Sequence, residues 1–203
     1  MQSLLIGERD MYLREGGKAM KVLAVVGSPR KGGNTDVLID QMIGGAAGAG
    51  AEVEKVYLND LKITPCQACY ACKKKPGCVI KDDMQKLYPK IMEAEGLLFG
   101  TPVYWWTVSA QMKCFLDRWF ALLDSNYKSL VAGKRIGLAV VCQDPGTKAM
   151  TDPILHMFKE GMDFIGIKYV GEVTASCDAK GEVAQNARAM ARARELGRQI
   201  AEG

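Results

Sequence analysis

The chain has 203 residues, of which 48% are hydrophobic and 25% are charged, a balance typical of an ordinary globular domain and not of a disordered or fibrous chain. The net charge of +4 is too small to indicate a nucleic-acid partner. No stretch is long and apolar enough for a membrane span or a secretion signal, so we expect no membrane partner. We also expect a reducing, cytoplasmic location, in which the seven cysteines are thiols or ligands and not disulfides.

From Met20 onwards the sequence alternates between strand and helix patterns. Short, β-branched apolar runs predict buried parallel strands, and the amphipathic stretches between them predict helices. The predicted strands are residues 21–27, 52–58, 96–100, 135–142 and 167–174, and the predicted helices are residues 34–47, 83–92, 108–124, 150–165 and 181–201. Right-handed crossovers then give an α/β fold, a doubly wound five-stranded parallel sheet in three α/β/α layers.

Residues 1–19 precede this alternation and are interpreted as an N-terminal extension. This segment is either a flexible or partner-binding arm or an artefact of an upstream start codon, because Met20 and Lys21 begin the repeating pattern cleanly. In the fold that follows, ligands bind beyond the carboxyl ends of the strands. The loops after the first, third and fourth strands are therefore the places to look for chemistry.

The loop after the first predicted strand, GSPRKGGNT at residues 27–35, has the composition of an anion site. Its glycines let successive backbone N–H groups face an anion at a helix N-terminus, and Ser28, Arg30 and Thr35 add further donors. A plain turn in which Asn34 or Thr35 caps the helix is the alternative. The loop lacks both the Gly-Lys-Ser/Thr end of a nucleoside-triphosphate loop and the G-x-G-x-x-G dinucleotide pattern, which leaves a terminal monophosphate such as that of FMN.

The loop after the third predicted strand, TPVYWW at residues 101–106, is rich in aromatic side chains. Exposed aromatic residues reduce solubility unless they cover a ligand or a partner. Flat side chains with backbone N–H groups between them suit an isoalloxazine ring. A hydrophobic contact between subunits is the alternative, and both can hold together.

A run of closely spaced cysteines is the sharpest chemical signal in the chain. Cys66, Cys69, Cys72 and Cys78 have the spacing C-x2-C-x2-C-x5-C, which lets one loop surround an iron–sulfur cubane. The spacing predicts one [4Fe–4S] cluster, whose negative charge the lysines at 73–75 would offset. Zinc is less apt, because its structural sites usually pair two separated knuckles. Free thiols beside a flavin and a cysteine redox switch are the alternatives. The other cysteines, Cys114, Cys142 and Cys177, are predicted to be core residues.

The segments GSPRKGGNT, TPVYWWTVSAQMKCFLDR and PCQACYACKKKPGCVIKDDM together resemble the flavodoxin-like NADPH-dependent FMN reductases, and most closely their iron–sulfur flavoprotein branch. The resemblance covers about residues 20–200. It implies a flavodoxin-like FMN-binding domain over residues 20–203, with the cysteine loop at 66–78, in a homodimer or homotetramer. The expected FMN-binding residues are Ser28, Arg30, Gly33, Asn34, Thr35, Pro102, Val103, Tyr104 and Trp105.

These observations lead to an FMN-dependent oxidoreductase in which NAD(P)H reduces the flavin and the flavin passes electrons to a quinone, free flavin or the cluster. The flavin supplies the chemistry, so no acid or base side chain is assigned. One alternative is an iron–sulfur electron carrier that accepts electrons from ferredoxin without nicotinamide turnover. Another is a flavin-dependent regulatory binding protein that uses the fold without catalysis.

Overall fold

The computed structural model describes residues 19–143 and 147–203 of the chain, so the predicted N-terminal extension lies, except for Ala19, outside the described residues. The described chain alternates between strands and helices as the sequence predicts. The strands are β1 (Lys21–Val26), β2 (Glu52–Tyr57), β3 (Gly96–Pro102), β4 (Arg135–Cys142) and β5 (Lys168–Ser176). The helices are α1 (Asn34–Gly48), α2 (Ala71–Lys74), α3 (Met84–Glu93), α4 (Ala110–Asp117), α5 (Thr147–Phe164) and α6 (Ala187–Glu202).

The five strands form one parallel sheet in the order β2-β1-β3-β4-β5. This is the flavodoxin-like order, in which the chain switches direction across the sheet between β1 and β3. The predicted doubly wound α/β/α fold is therefore confirmed. Because all the strands are parallel, the loops that follow them emerge at the same edge of the sheet, where a ligand site is expected.

Each face of the sheet carries its own apolar core. On one face, α1 and α6 contribute buried residues such as Met42 and Leu196. On the other face, α3, α4 and α5 surround Phe99, whose ring packs edge-on against those of Phe115 and Phe158 at 5.6 and 6.3 Å. Within the described ranges, no helix is both long enough and apolar enough to cross a membrane.

Helices α1 and α6 touch through their backbones because a glycine lies on each side of the crossing. A Cβ atom on Gly45 would lie 1.8 Å from the carbonyl oxygen of Arg194, and one on Gly197 would lie 1.8 Å from that of Met42. No other residue fits at such distances. The crossing therefore fixes the position of α1, whose N-terminus carries the predicted anion loop.

The predicted helix over residues 108–124 is shorter than expected. The α-helix ends at Asp117 and the chain continues as a tighter 3-10 turn over residues 118–122. In this turn Arg118 and Trp119 both point inward, with exposed fractions of 1% and 6%. The carbonyl of Arg118 accepts a hydrogen bond from the Tyr88 hydroxyl at 3.1 Å. The tighter turn thus buries two consecutive large side chains, which a regular amphipathic helix does not do.

The last predicted helix also begins later than expected. Gly181 has a left-handed backbone with φ of 77°, and a short 3-10 turn follows over residues 182–185. The side chain of Asn186 then accepts a hydrogen bond from the N–H of Ala189 at 3.0 Å and caps α6. The helical spacing of apolar residues over 181–201 does not indicate this break before α6.

We expect Gly197→Ala to lower the free energy of unfolding by about 1–3 kcal/mol or more, because the added methyl group has to separate α1 from α6. Chemical denaturation measures this change. The matched control is Gly48→Ala on the same pair of helices, where the new Cβ meets nothing within 4 Å. That variant should be neutral or stabilising by up to about 1 kcal/mol. Equal effects of the two substitutions would contradict the close approach.

Candidate functional site

A cavity of about 290 Å³ opens at the carboxyl edge of the sheet, close to the ~300–1,000 Å³ typical of small-molecule sites. Its wall contains all the predicted FMN-binding residues except Trp105. The structure adds residues that the sequence did not indicate, from the ends of β4 and β5 and the loop after β5. These added residues are Val141, Cys142, Gln143, Cys177, Asp178 and Lys180.

One end of the cavity is formed by the N-terminus of α1. The N-cap residue is Gly33, which has no side chain to cap the helix. Within the described ranges, the backbone N–H groups of Asn34 and Thr35 have no hydrogen-bond acceptor. The hydroxyl-bearing residues Ser28 and Thr35 are 5% and 2% exposed beside them. Unpaired N–H groups at a helix N-terminus are a ready site for a phosphate.

Two cations stand at this end of the cavity. Neither Arg30 nor Lys180 makes an ion pair within the part of the chain that the structure describes. A Cβ atom on Gly32 would lie 3.5 Å from Cε of Lys180, so the lysine lies over the anion loop. Two unpaired cations beside unpaired N–H groups fit the phosphate of FMN.

The nearby carboxylate of Asp36 does not cancel this positive charge. Asp36 accepts the N–H of Gly32 at 2.7 Å and pairs with Lys55 at 2.6 Å. Burial raises the pKa of Asp36, but the hydrogen bonds from Lys55 and Gly32 outweigh it and hold the pKa below its ordinary value. The carboxylate therefore stays ionised and fixes the loop backbone, and its partner is Lys55, which also pairs with Asp40, and not Arg30 or Lys180.

The side chain of Asn34 makes two hydrogen bonds to another loop of the cavity. Its amide donates to the carbonyl of Ala179 at 2.8 Å, and its amide oxygen accepts the N–H of Val183 at 3.1 Å. These bonds join the loop after β1 to the loop after β5. The backbone N–H of Asn34 remains to meet a phosphate, and the side chain ties down the loop that carries Lys180.

The aromatic loop forms a tight turn with both tryptophans at its tip. The N–H of Tyr104 donates to the carbonyl of Thr107 at 2.9 Å, and the reverse bond is 3.1 Å. Trp105 and Trp106 have left-handed backbones with φ of 50° and 58°, where such turns usually carry Asn and Gly. Trp105 is 89% exposed and lies outside the cavity wall, which Tyr104 lines instead. Contact between Trp105 and the flavin ring therefore stays a prediction.

Buried hydroxyl groups hold the two cavity loops together. The hydroxyl of Ser109 donates to the carbonyl of Gly27 at 2.6 Å, and its N–H donates to the hydroxyl of Thr101 at 3.0 Å. The backbone N–H of Val103 donates to the carbonyl of Val141 at 2.8 Å. The backbone around the cavity is thus set by contacts between the ends of β1, β3 and β4.

The four predicted cluster ligands share the wall of a second, smaller cavity of about 20 Å³. Cys66 and Cys69 are exposed, whereas Cys72 and Cys78 are half-buried. Burial raises the pKa of Cys72 above its ordinary value, against the lowering effect of Lys73. Among the described residues, no three His, Cys, Asp or Glu side chains converge closely enough to hold a metal ion. The predicted ligands therefore share one wall without forming a coordination sphere.

The chemistry of this wall nonetheless fits an iron–sulfur cluster. Four thiols from one loop are the donor set that such a cluster uses. Between them Ala68 and Tyr70 have left-handed backbones, with φ of 49° and 55°. Left-handed residues in a loop turn backbone N–H groups inward, which favours an anionic group.

A buried ion pair closes the base of this cysteine loop. Nη1 of Arg118 donates to Oδ2 of Asp82 at 2.6 Å and to the carbonyl of Thr64 at 2.8 Å. The same carboxylate accepts the N–H groups of Thr64 and Met84 at 2.8 and 3.1 Å. Burial raises the pKa of Asp82, but the Arg118 and Thr64 hydrogen bonds outweigh it and lower the pKa overall. The pair thus joins the two residues that flank the cysteines.

Sequence reasoning did not single out this ion pair. The available signal was that Arg118 falls on the apolar stripe of a predicted amphipathic helix, beside Trp119. The lysine run at 73–75 is expected to offset the charge of a cluster. In the structure the Lys73 ammonium donates to the carbonyl of Phe120 at 2.7 Å and lies 4.2 Å from the centroid of its ring. Lys73 therefore anchors α2 to the 3-10 turn.

Cys142 and Cys177 are buried as expected, whereas Cys114 is only half-buried.

Comparison with known proteins places these features in a family. Residues 20–190 match the sequence model of the family described as NADPH-dependent FMN reductase. An iron–sulfur flavoprotein of Archaeoglobus fulgidus is 33% identical over 183 residues, which are 90% of this chain and 80% of that protein. A Bacillus subtilis protein, named as an NAD(P)H-dependent FMN-containing oxidoreductase, is 27% identical over 87% of this chain and 96% of its own.

Other comparisons are more limited. Against iron–sulfur flavoproteins of Methanocaldococcus jannaschii and Methanosarcina thermophila, the match spans about half of their length, 51% and 56%. The structure of an NAD(P)H:quinone oxidoreductase from Methanothermobacter marburgensis gives a TM-score of 0.72, covering 92% of this chain and 99% of its own. Its sequence identity is 17%, so this likeness concerns the fold alone.

We expect Arg30→Ala to weaken FMN binding roughly ten- to a hundredfold, because charge-assisted hydrogen bonds worth about 1.5–3 kcal/mol are lost. Titration of the flavin-free protein with FMN, followed by flavin fluorescence, measures the change. The control is Arg194→Ala. It removes an exposed arginine of α6, whose guanidinium lies beside Gly44 in the C-terminal half of α1, away from the cavity. Unchanged affinity in the Arg30 variant would move the phosphate to another site.

Proposed function

The chain belongs to the NADPH-dependent FMN reductase family and is a flavin oxidoreductase, and on this basis we propose that it takes reducing equivalents from NAD(P)H and delivers them to an iron–sulfur cluster on its own cysteine loop. The observation that carries the flavin part of the proposal is the N-terminus of α1. Its unpaired N–H groups, capped by glycine and flanked by Arg30 and Lys180, lie at the switch point of the sheet.

In the proposed arrangement the phosphate of FMN lies on the N–H groups of Asn34 and Thr35, with the hydroxyl groups of Ser28 and Thr35 beside it. Arg30 and Lys180 neutralise its charge. The isoalloxazine ring extends towards Pro102, Val103 and Tyr104, with Trp105 as the remaining candidate from the sequence. When bound, the flavin supplies hydride and electron chemistry that the amino acids lack.

The chain's own residues orient and shield the ring. The Gln143 amide lies 2.5 Å from the Asp178 carboxylate and links the ends of β4 and β5 across the rim of the cavity. Cys142 and Cys177 are 3% and 9% exposed and provide an apolar floor with Val141. A floor without free charge excludes water from the side of the ring that it covers.

The cysteine part of the proposal rests on a different set of observations. Four thiols line one cavity, and their loop follows β2 while the flavin loops follow β1 and β3. Parallel strands bring these loops to the same edge of the sheet. Relatives named iron–sulfur flavoproteins support a [4Fe–4S] group on Cys66, Cys69, Cys72 and Cys78. Kinetic measurements distinguish NAD(P)H from ferredoxin as the physiological electron donor and test for a small-molecule acceptor.

Anaerobic mixing of the FMN-loaded protein with NADPH or NADH should rapidly bleach the absorbance of the oxidised flavin. The reason is that a member of this family accepts hydride directly from a nicotinamide. Stopped-flow absorbance measures the rate, and reduced ferredoxin in place of the nicotinamide is the comparison. Bleaching by ferredoxin alone would contradict the reductase and favour the electron carrier. A flavin reduced by neither donor would favour a binding protein.

Replacing Cys72 with alanine should abolish the cluster and leave FMN in place, because the two groups use different loops. Iron and acid-labile sulfide per chain, measured after anaerobic reconstitution, check this together with the flavin content. The control is Cys114→Ala, a half-buried thiol on α4 that does not line the cysteine cavity. If the wild-type protein contains no iron and its thiols react with alkylating reagents, the proposal of a cluster is wrong and the protein is an FMN reductase without one.

A further inference from the structure

We propose that Arg118 is a positioning residue for the iron–sulfur group, with its Nε–H donating a hydrogen bond to a sulfur atom in the cysteine cavity and its charge stabilising the reduced state. This inference rests on the cluster of the proposed function. It concerns a residue outside the four ligands, on the 3-10 turn that follows α4.

The first observation is an unpaired donor in a buried place. The side chain of Arg118 is 0% exposed. Its Nη1 and Nη2 donors are occupied by Asp82 and Thr64, but Nε has no hydrogen-bond partner within the described ranges. A buried N–H without an acceptor destabilises a protein by about 1–3 kcal/mol. Nε, a nitrogen of this buried guanidinium without a partner among the described residues, therefore points to a missing acceptor.

The second observation is where this donor lies. Arg118 shares the wall of the cysteine cavity with all four thiols. Its side chain is fully buried, so the guanidinium lies beneath the same small cavity as the predicted ligands. A sulfur-rich anionic group in this cavity would be the acceptor that Nε lacks.

The third observation is rigidity. Asp82 holds the guanidinium of Arg118 by an ion pair. The Tyr88 hydroxyl holds the Arg118 backbone by donating to its carbonyl at 3.1 Å. A donor fixed in this way needs little rearrangement to meet a new acceptor. Lys74 and Lys75 of the same loop lack this constraint, because both are exposed to water.

The expected consequence is electrostatic. When the sulfur-bound group accepts one electron, from the reduced flavin or from a chemical reductant, it gains one negative charge. A fixed N–H donor and a buried positive charge stabilise that more negative state and raise the reduction potential. A role limited to closing the loop through Asp82 needs only Nη1 and Nη2 and leaves the potential unchanged.

The test compares midpoint potentials of the reconstituted full-length protein by anaerobic redox titration with EPR. In the double variant Arg118→Gln with Asp82→Asn, which leaves no unpaired buried charge, the equilibrium constant for cluster reduction should fall about tenfold, which is about 59 mV for one electron. Arg118→Lys keeps the charge and lacks Nε–H, so its potential should fall by less. Lys81→Gln removes an exposed positive charge from the same loop, outside the lysine run at 73–75, and should leave the potential unchanged.

Each outcome decides the matter. If the variants hold iron and FMN and their midpoint potentials equal that of the wild type, the inference about Arg118 is wrong and the proposed cluster is retained. Loss of iron from both Arg118 variants, with FMN retained, would also overturn it, because Arg118 would then serve only the shape of the loop. Wild-type protein that binds FMN but no iron would overturn both the inference and the cluster of the proposed function.

Discussion

The parallel pairing of all five strands is the constraint on which the rest of this molecule depends. Parallel neighbours need a crossover between them, so every strand ends at the same edge and every following loop emerges there. The anion loop after β1, the cysteine loop after β2 and the aromatic loop after β3 are distant in sequence and share this edge. An antiparallel sheet with the same loops would have divided them between two edges.

Two contacts between distant segments turn this shared edge into a site. The glycine crossing of α1 and α6 sets where the N-terminus of α1 lies, and Asn34 then ties that N-terminus to the loop carrying Lys180. Because the N-cap is Gly33, the first N–H groups of the helix remain unpaired. The positive end of the helix dipole thus faces a cavity where two cations already lack partners.

The cysteine loop is organised differently, around a buried charge. An isolated arginine would be costly to bury, so Arg118 is paired with Asp82, whose carboxylate also takes two backbone N–H groups. This pair fixes both flanks of a loop that has little apolar core of its own. It also leaves one donor directed at no acceptor among the described residues. A similar departure from local preference occurs at Trp105 and Trp106, whose left-handed backbones cost about 1–3 kcal/mol each.

The sequence by itself determined the strands, their parallel direction and most of the cavity wall, because buried strands and anion loops are encoded by short runs of neighbouring residues. The apolar run of β4 was predicted at its observed bounds, and Ser28 and Arg30 were identified from one nine-residue segment. The tertiary structure alone decided what depends on contacts between distant segments. Lys180 enters the site through the hydrogen bonds of Asn34, Arg118 becomes buried through Asp82, and Trp105 lies in a turn with a left-handed backbone. Each of these is set by a partner far along the chain or by a turn geometry that residue type disfavours, and no local pattern carries that information.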